Sequence, residues 1–293
     1  MKVLAKDALN IGASSREMDG GPVFVVRRTT GWRFLDLREL WAYRELFYFL
    51  TVRDIQVRYK QTVIGIGWVV LQPLAMMLVF TLLFGKLTKV PSVGIPYPLF
   101  AYTGLLPWQV FSKIVSSSAN SLIVDQRLIS RVYFPRIIVP MVTALVASVD
   151  FIIGVALLFP LMMYYRVAPG LSVIWLPVFI LLLLVTALGV GFWLSALNVE
   201  YRDVSSAIPF LIQIGLFVTP VIYPSVLVPA HWRVVYALNP MAGVVEGFRW
   251  ALVGGDYNPL RMLAVSALIA LAVFLSGIVW FRVRERKFVE TLG

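Results

Sequence analysis

The 293-residue chain contains no cysteine and one histidine, His231. The first absence excludes disulfide scaffolds, thiol catalysis and cysteine-ligated zinc. The second leaves no basis for a histidine-rich metal site or a Ser-His triad. Charge is scarce as well, with Asp, Glu, Lys and Arg together at 14%. No Gly-x-x-x-x-Gly-Lys-Ser/Thr occurs, so the chain has no P-loop of its own. Its Gly85-Lys86 pair lacks both the upstream glycine and the following hydroxyl. No acidic cluster suited to a metal–nucleotide sugar stands on the connecting segments, which argues against a membrane-embedded glycosyltransferase.

What the chain has in excess is apolar surface. Hydrophobic residues make up 60% and the mean hydropathy is +0.85, against roughly 45–50% apolar in soluble domains. A bilayer accounts for that excess more readily than a single globular core. The net charge of +11 and the pI near 10.0 would suit nucleic acid in a soluble protein. Here the cations lie mostly outside the apolar runs, as membrane flanks do, so no nucleic-acid partner is expected.

Residues 1–30 carry Lys2, Lys6, Asp7, Arg16, Glu17 and Asp19 without an apolar h-region, and read as a polar tail instead of a cleaved signal peptide. Six later segments are long enough to span about 30 Å of hydrocarbon. They lie near 63–85, 97–118, 137–165, 171–197, 205–223 and 260–281. Pro107 and Pro209 interrupt the second and fifth, which a bundle tolerates. An even number of spans puts both termini on one side. That side, with residues 1–62, the 119–136 and 198–204 connections and the tail from 282, carries nineteen Lys and Arg; the other carries Lys86, Lys89, Arg166, Arg233, Arg249 and Arg261. The excess assigns both termini to the cytoplasm.

Residues 36–61 hold no Gly or Pro and predict an amphipathic helix that Asp36 could cap. Leu37, Trp41, Tyr48, Ile55 and Tyr59 form one stripe, with Leu40, Phe47 and Thr51 beside it; Arg38, Glu45, Arg53, Gln56 and Lys60 gather opposite. Such a helix belongs in the membrane interface plane, as an anchor or as a docking surface for a cytoplasmic partner.

Asp150 is the only acidic residue deep in a span. An intramembrane carboxylate can relay protons or meet substrate. It can also simply accept hydrogen bonds from neighbours such as Thr143 or Ser148, and this structural role is the favoured one. Gly243 and Gly247 form a Gly-x-x-x-Gly, which points to close helix packing. His231, beside Trp232 and Arg233, reads as an interfacial residue with no recognisable nucleophile near it.

Four ordered motifs occupy the rest of the pattern. Arg58-Tyr59-Lys60-Gln61-Thr62 leads to Gly65, Trp68 and Leu71-Gln72-Pro73. Leu128-Ile129 precedes Arg131-Val132-Tyr133-Phe134-Pro135-Arg136. Tyr201-Arg202-Asp203-Val204 is followed by Thr219-Pro220-Val221-Ile222-Tyr223-Pro224. Leu238-Asn239-Pro240-Met241 comes before Glu246-Gly247 and Arg249.

From about residue 36 to 281 this pattern resembles the permease subunits of ABC-type-2 exporters, in the branch that exports O-antigen, teichoic acid and capsular polysaccharide. The resemblance implies an all-α polytopic membrane protein with six transmembrane helices over 63–281. An interface helix over 31–62 would precede them and re-entrant outer helices would stand before the last span. It implies a cytoplasmic coupling segment over 119–136, an outer gate over 224–259 and a cytoplasmic tail over 282–293. The 1–30 tail departs from the family pattern.

The resemblance further implies a homodimer in a bacterial inner membrane, bound to two copies of an ABC nucleotide-binding subunit. ATP and Mg would sit on that partner, with no cofactor, metal or catalytic residue on this chain. The cargo would be a lipid-linked glycan on an undecaprenyl-type carrier, moving through a channel at the dimer interface. Residues carried over are Asp125, Arg127, Leu128, Arg131, Tyr133 and Phe134 for coupling to the ATPase. Arg53, Arg58, Tyr59 and Lys60 belong to the interface helix, Arg202 and Asp203 to the entry of span five, and Trp232, Tyr236, Glu246 and Arg249 to the outer gate. Because aromatic rings suit the apolar C–H faces of sugars, Trp68, Phe80, Phe84, Phe217 and Tyr223 are candidate channel-lining residues. The rival readings are an ABC exporter of drugs or small lipids and a proton-coupled transporter working through Asp150.

Overall fold

The computed structural model describes residues 37–60, 65, 67–92, 94–229, 232, 236–254, 260–285 and 288. The 1–30 tail, Asp36, Gln61, Thr62, His231, Arg233 and most of the C-terminal tail lie outside the described residues. Every regular element among the described residues is helical. In chain order they are α1 (Leu37–Ala42), α2 (Arg44–Lys60), α3 (Gly67–Phe80) continuing as a π-helical turn over Thr81–Leu87, α4 (Tyr97–Val124), α5 (Gln126–Arg131) and α6 (Ile138–Tyr164). Then follow a 3₁₀ turn at Leu171–Trp175, α7 (Leu176–Glu200), α8 (Asp203–Val218), a 3₁₀ turn at Ser225–Leu227, α9 (Pro240–Val253) and α10 (Leu260–Glu285).

The local sequence explains where several of these begin. Pro98, Pro177 and Pro240 stand in the first turns of α4, α7 and α9, where a missing N–H costs nothing. Asn239 caps α9 by accepting from the Met241 amide at 3.0 Å, the expected work of an N-cap amide. Asp203 opens α8 with its negative charge at the helix N-terminus, a favourable position in the helix dipole.

Four described segments are long and apolar enough to cross a bilayer: Gly67–Leu87, Ile138–Tyr164, Leu171–Glu200 and Met262–Glu285. They fall on the first, third, fourth and sixth predicted spans. The second corresponds to α4, a 28-residue helix whose lower half carries serines, Lys113 and Asn120. The fifth is only the 16 residues of α8, because the chain turns extended at Thr219 and does not continue helical to Tyr223.

Two apolar cores hold the bundle. One joins α3, α4, α6, α7 and α9 around Phe100, Tyr102, Leu105, Phe179 and Phe248. The other gathers Leu50, Ile129, Phe134, Ile137, Phe192, Phe281 and Phe288, at the end where α2, α5 and the C-terminus of α10 meet. Charged side chains close that end. Arg136 donates to the Glu285 carbonyl at 2.8 Å, Arg282 pairs with Glu285 at 2.9 Å, and Arg284 pairs with Glu200.

Along α7 and α10 the backbones nearly touch. A Cβ on Gly277 would stand 2.5 Å from the Gly189 carbonyl oxygen, and one on Gly189 would stand 2.7 Å from the Phe274 Cα. Small residues permit such close approach between membrane helices. Gly277→Leu is therefore expected to force the helices apart and destabilise the fold by about 1–3 kcal/mol or more. A lower midpoint of thermal unfolding in detergent checks this, and an unchanged midpoint would contradict the close approach.

Candidate functional site

The predicted segment is helical over Leu37–Ala42 and Arg44–Lys60, and only part of its predicted apolar face docks. Leu40, Tyr43, Leu46, Phe47 and Ile55 pack against the second core around the buried Leu50. Trp41 and Tyr48, from the predicted apolar stripe, are 71% and 65% exposed. Polar anchors set this rotation. Arg53, predicted on the outward cationic face, turns inward to Asp125 at 2.9 Å while holding Asp54 at 2.8 Å. Burial opposes the Arg53 charge, but hydrogen bonds and charges from Asp125 and Asp54 outweigh it and raise the guanidinium pKa.

The second anchor lies at the end of α2. Arg58 pairs with Asp150 at 3.1 Å, Tyr59 donates to the same carboxylate, and Lys113 of α4 pairs with it from the other side. Asp150 is only 7% exposed. It stands twelve residues into α6, or about 18 Å along that helix, so α2 climbs beside the bundle to reach it. Thr143 and Ser148, the hydrogen-bond partners expected for Asp150, are engaged elsewhere. Thr143 bonds Ser118 and the Pro140 carbonyl, and Ser148 bonds the Ala144 carbonyl. Burial, then the hydrogen bond and charge of Asp150, hold the Tyr59 phenol well above its ordinary pKa, so it stays a donor. Lys60 is exposed at the helix terminus.

A cavity of about 590 Å³ opens between α3, α4, α6 and α8, with Gln72, Trp108, Gln109, Lys113, Asp150 and Leu216 among its walls. None of the five aromatics proposed for a channel contributes to it. Trp68 and Phe217 point outward, Phe80 is buried with Phe84 edge-on to it at 5.9 Å, and Tyr223 donates to the Phe217 carbonyl at 2.8 Å. The tryptophan that does line the cavity, Trp108, was not among them. A second cavity of about 470 Å³ lies beneath α2, walled by Arg53, Arg58, Ser121 and Asp125.

The segment between spans two and three forms the short helix α5. Arg127, Arg131 and Tyr133 are exposed, and Leu128 is half-buried. Phe134 is different: it is buried in the second core, where packing claims the ring and leaves no surface for a partner. Asp125 is occupied by Arg53. Arg202 and Asp203 are exposed and form no ion pair among the described residues.

At the other end, two of the four motifs converge. Arg249 of α9 is 4% exposed. Its guanidinium donates to the Pro220 and Val221 carbonyls at 3.0 and 3.1 Å, pairs with Glu246 at 3.2 Å and sits 3.7 Å from the Phe100 ring centre. Glu246 accepts from the Ser225 amide at 2.9 Å. Asn239 donates to Thr219 at 2.9 Å, Tyr97 to the Ile222 carbonyl at 2.8 Å, and Tyr236 to Tyr223 at 3.2 Å. The irregular turn after α8 thus has buried backbone groups satisfied by side chains, as buried irregular backbone requires. Gly243 and Gly247 face Ser266 and Phe179, the close packing expected of that pair. Trp232, Val226 and Leu227 are exposed.

The ABC-2 type transporter family model matches residues 45–253. An O-antigen export system permease protein of Myxococcus xanthus is 30% identical over 264 residues, covering 87% of this chain and 98% of that protein. One from Klebsiella pneumoniae is 27% identical, covering 85% and 95%. A polysialic acid transport protein of Escherichia coli is 25% identical, covering 83% and 94%.

Proposed function

This chain belongs to the ABC-2 type transporter family, and from that premise we propose that it is the membrane subunit of a polysaccharide exporter. The observation that carries the reading is near end-to-end similarity to glycan-export permeases across two cargo types. α4 and α8 then complete a set of six spans, and α9 with its preceding turn forms the re-entrant outer segment. The charged end bearing α2, α5 and Glu285 faces the cytoplasm of a bacterial inner membrane.

Two such chains pair as a homodimer, and each binds an ATPase subunit that supplies ATP and Mg. The exposed Arg127, Arg131 and Tyr133 on and after α5 form the docking surface. ATP-driven movement of the ATPases pushes on α5. Asp125 and Arg53 carry that displacement to α2, and the Asp150 cluster carries it into α4 and α6. A path then opens for a lipid-linked glycan on an undecaprenyl-type carrier.

Depletion of the chain in its host is expected to trap carrier-linked polymer inside and to lower surface glycan. Fractionation of glycan across the membrane measures both. Normal surface glycan would overturn this reading in favour of export of drugs or small lipids.

A further inference from the structure

The two cavities share Ser116 and Ser117 of α4, so they run side by side along one helix face. Gln72 and Gln109 join these serines on the wall. Among the described residues, none of the four side chains is hydrogen-bonded. An unpaired amide or hydroxyl in hydrocarbon costs roughly 4–8 kcal/mol. Polar groups at this depth are stable where they face a wet cavity or a polar ligand. The rest of the lining is largely apolar, with Met76, Leu106, Ile212 and Leu216, and the Trp108 ring adds a flat surface. A lining of amides and hydroxyls interleaved with hydrocarbon and an indole matches a sugar, which presents hydroxyls and C–H faces together.

Charge narrows the ligand further. The cations on this groove are Arg53, Arg58 and Lys113, and the anions are Asp54, Asp125 and Asp150. Every cation is paired with a carboxylate. No uncompensated positive charge remains to hold a phosphate. We propose that this α4 face is a subsite for uncharged sugar units of the cargo, while the anionic group linking glycan to lipid is held elsewhere. The proposal rests on the polysaccharide reading above and names the part of the cargo this groove takes.

The absence of native cysteine makes a direct test clean. Single variants Ser117→Cys, Ser116→Cys and Gln109→Cys are expressed in the host with the native ATPase. Each is exposed to membrane-permeant and to charged thiosulfonate reagents, and modification is read on this chain. Ile152→Cys, on an outward surface of α6, serves as the dry control. The groove variants should label in cells blocked at transfer of the first sugar to the carrier. Labelling should fall about tenfold in cells making glycan with the ATPase stalled, as for a ligand at roughly ten times its Kd.

Equal labelling in both cell types would overturn the sugar subsite, and no labelling in either would overturn the wet groove itself. Anionic and cationic reagents should react at similar rates. An anionic preference of about tenfold or more, the mark of a focusing positive field, would overturn the charge-balanced assignment. Depletion of the wild-type chain is run in parallel. If surface glycan stays normal, the export reading fails whatever the labelling; if glycan is trapped but labelling is unprotected, the subsite alone fails.

Discussion

Replacing Asp150 with alanine is expected to destabilise the fold by about 3–5 kcal/mol, the usual cost of removing one partner from a buried ion pair. The change leaves Arg58 and Lys113 facing each other without their shared carboxylate, and it takes the acceptor from Tyr59. The two cations then repel, and the last turn of α2 loses its hold on α4 and α6. Asp150→Asn should fall between, because its amide keeps an acceptor for Tyr59 but supplies no charge. Thermal unfolding in detergent gives the stability, and hydrogen exchange across residues 44–60 gives the docking of α2. Exchange should rise there first, since Arg53–Asp125 remains as the other anchor.

The same variants separate a structural carboxylate from a proton relay. A relay would lose transport in Asp150→Asn at unchanged stability. A positioning residue loses transport only as far as α2 loosens, and Lys113→Gln should partly restore Asp150→Asn by removing one of the stranded cations. A double-mutant cycle should give a coupling of about 0.5–3 kcal/mol. Additive effects would refute the cluster.

The helices were largely legible because long apolar runs leave little choice in a bilayer. Predicted and observed limits agree within a few residues for the spans over Ile138–Tyr164 and Leu260–Glu285. Side-chain pairing between distant segments was less so. Lys113 and Asp150 are opposite charges each lying inside a predicted span, and that coincidence is visible in the sequence, but periodicity alone does not pair them. The rotation of α2 could not be read from periodicity, because Arg53 and Arg58 are drawn inward by carboxylates 72 and 92 residues away. Phe134 illustrates the reverse case: a motif position implied contact with a partner, and local packing places it in the core. The candidate channel aromatics lie in spans one and five, whereas the cavity is built chiefly on α4 and takes its tryptophan, Trp108, from there.

Arg249→Ala is the second large effect, and its signature is rescue. The arginine joins the Pro220 and Val221 carbonyls, the Glu246 carboxylate and the Phe100 ring, so truncation strands a buried charge and two acceptors at once. The expected loss is about 3–5 kcal/mol from the broken pair, with a further roughly 1–3 kcal/mol for acceptors left dry. Arg249→Lys should recover little, since an ammonium lacks the planar fork that serves carbonyls and carboxylate together. Glu246→Gln should cost less than Arg249→Ala, because its amide oxygen can still accept from the Ser225 amide. In the double variant Arg249→Met with Glu246→Gln no buried charge remains, and it should be more stable than Arg249→Met alone. Thermal unfolding of the purified protein in detergent reads the order of these variants. Were Arg249→Ala as stable as wild type, the turn after α8 would not depend on this arginine. The double variant also tests function separately from folding. If it folds but exports no glycan, the Arg249–Glu246 pair acts in transport and not only in holding the turn after α8.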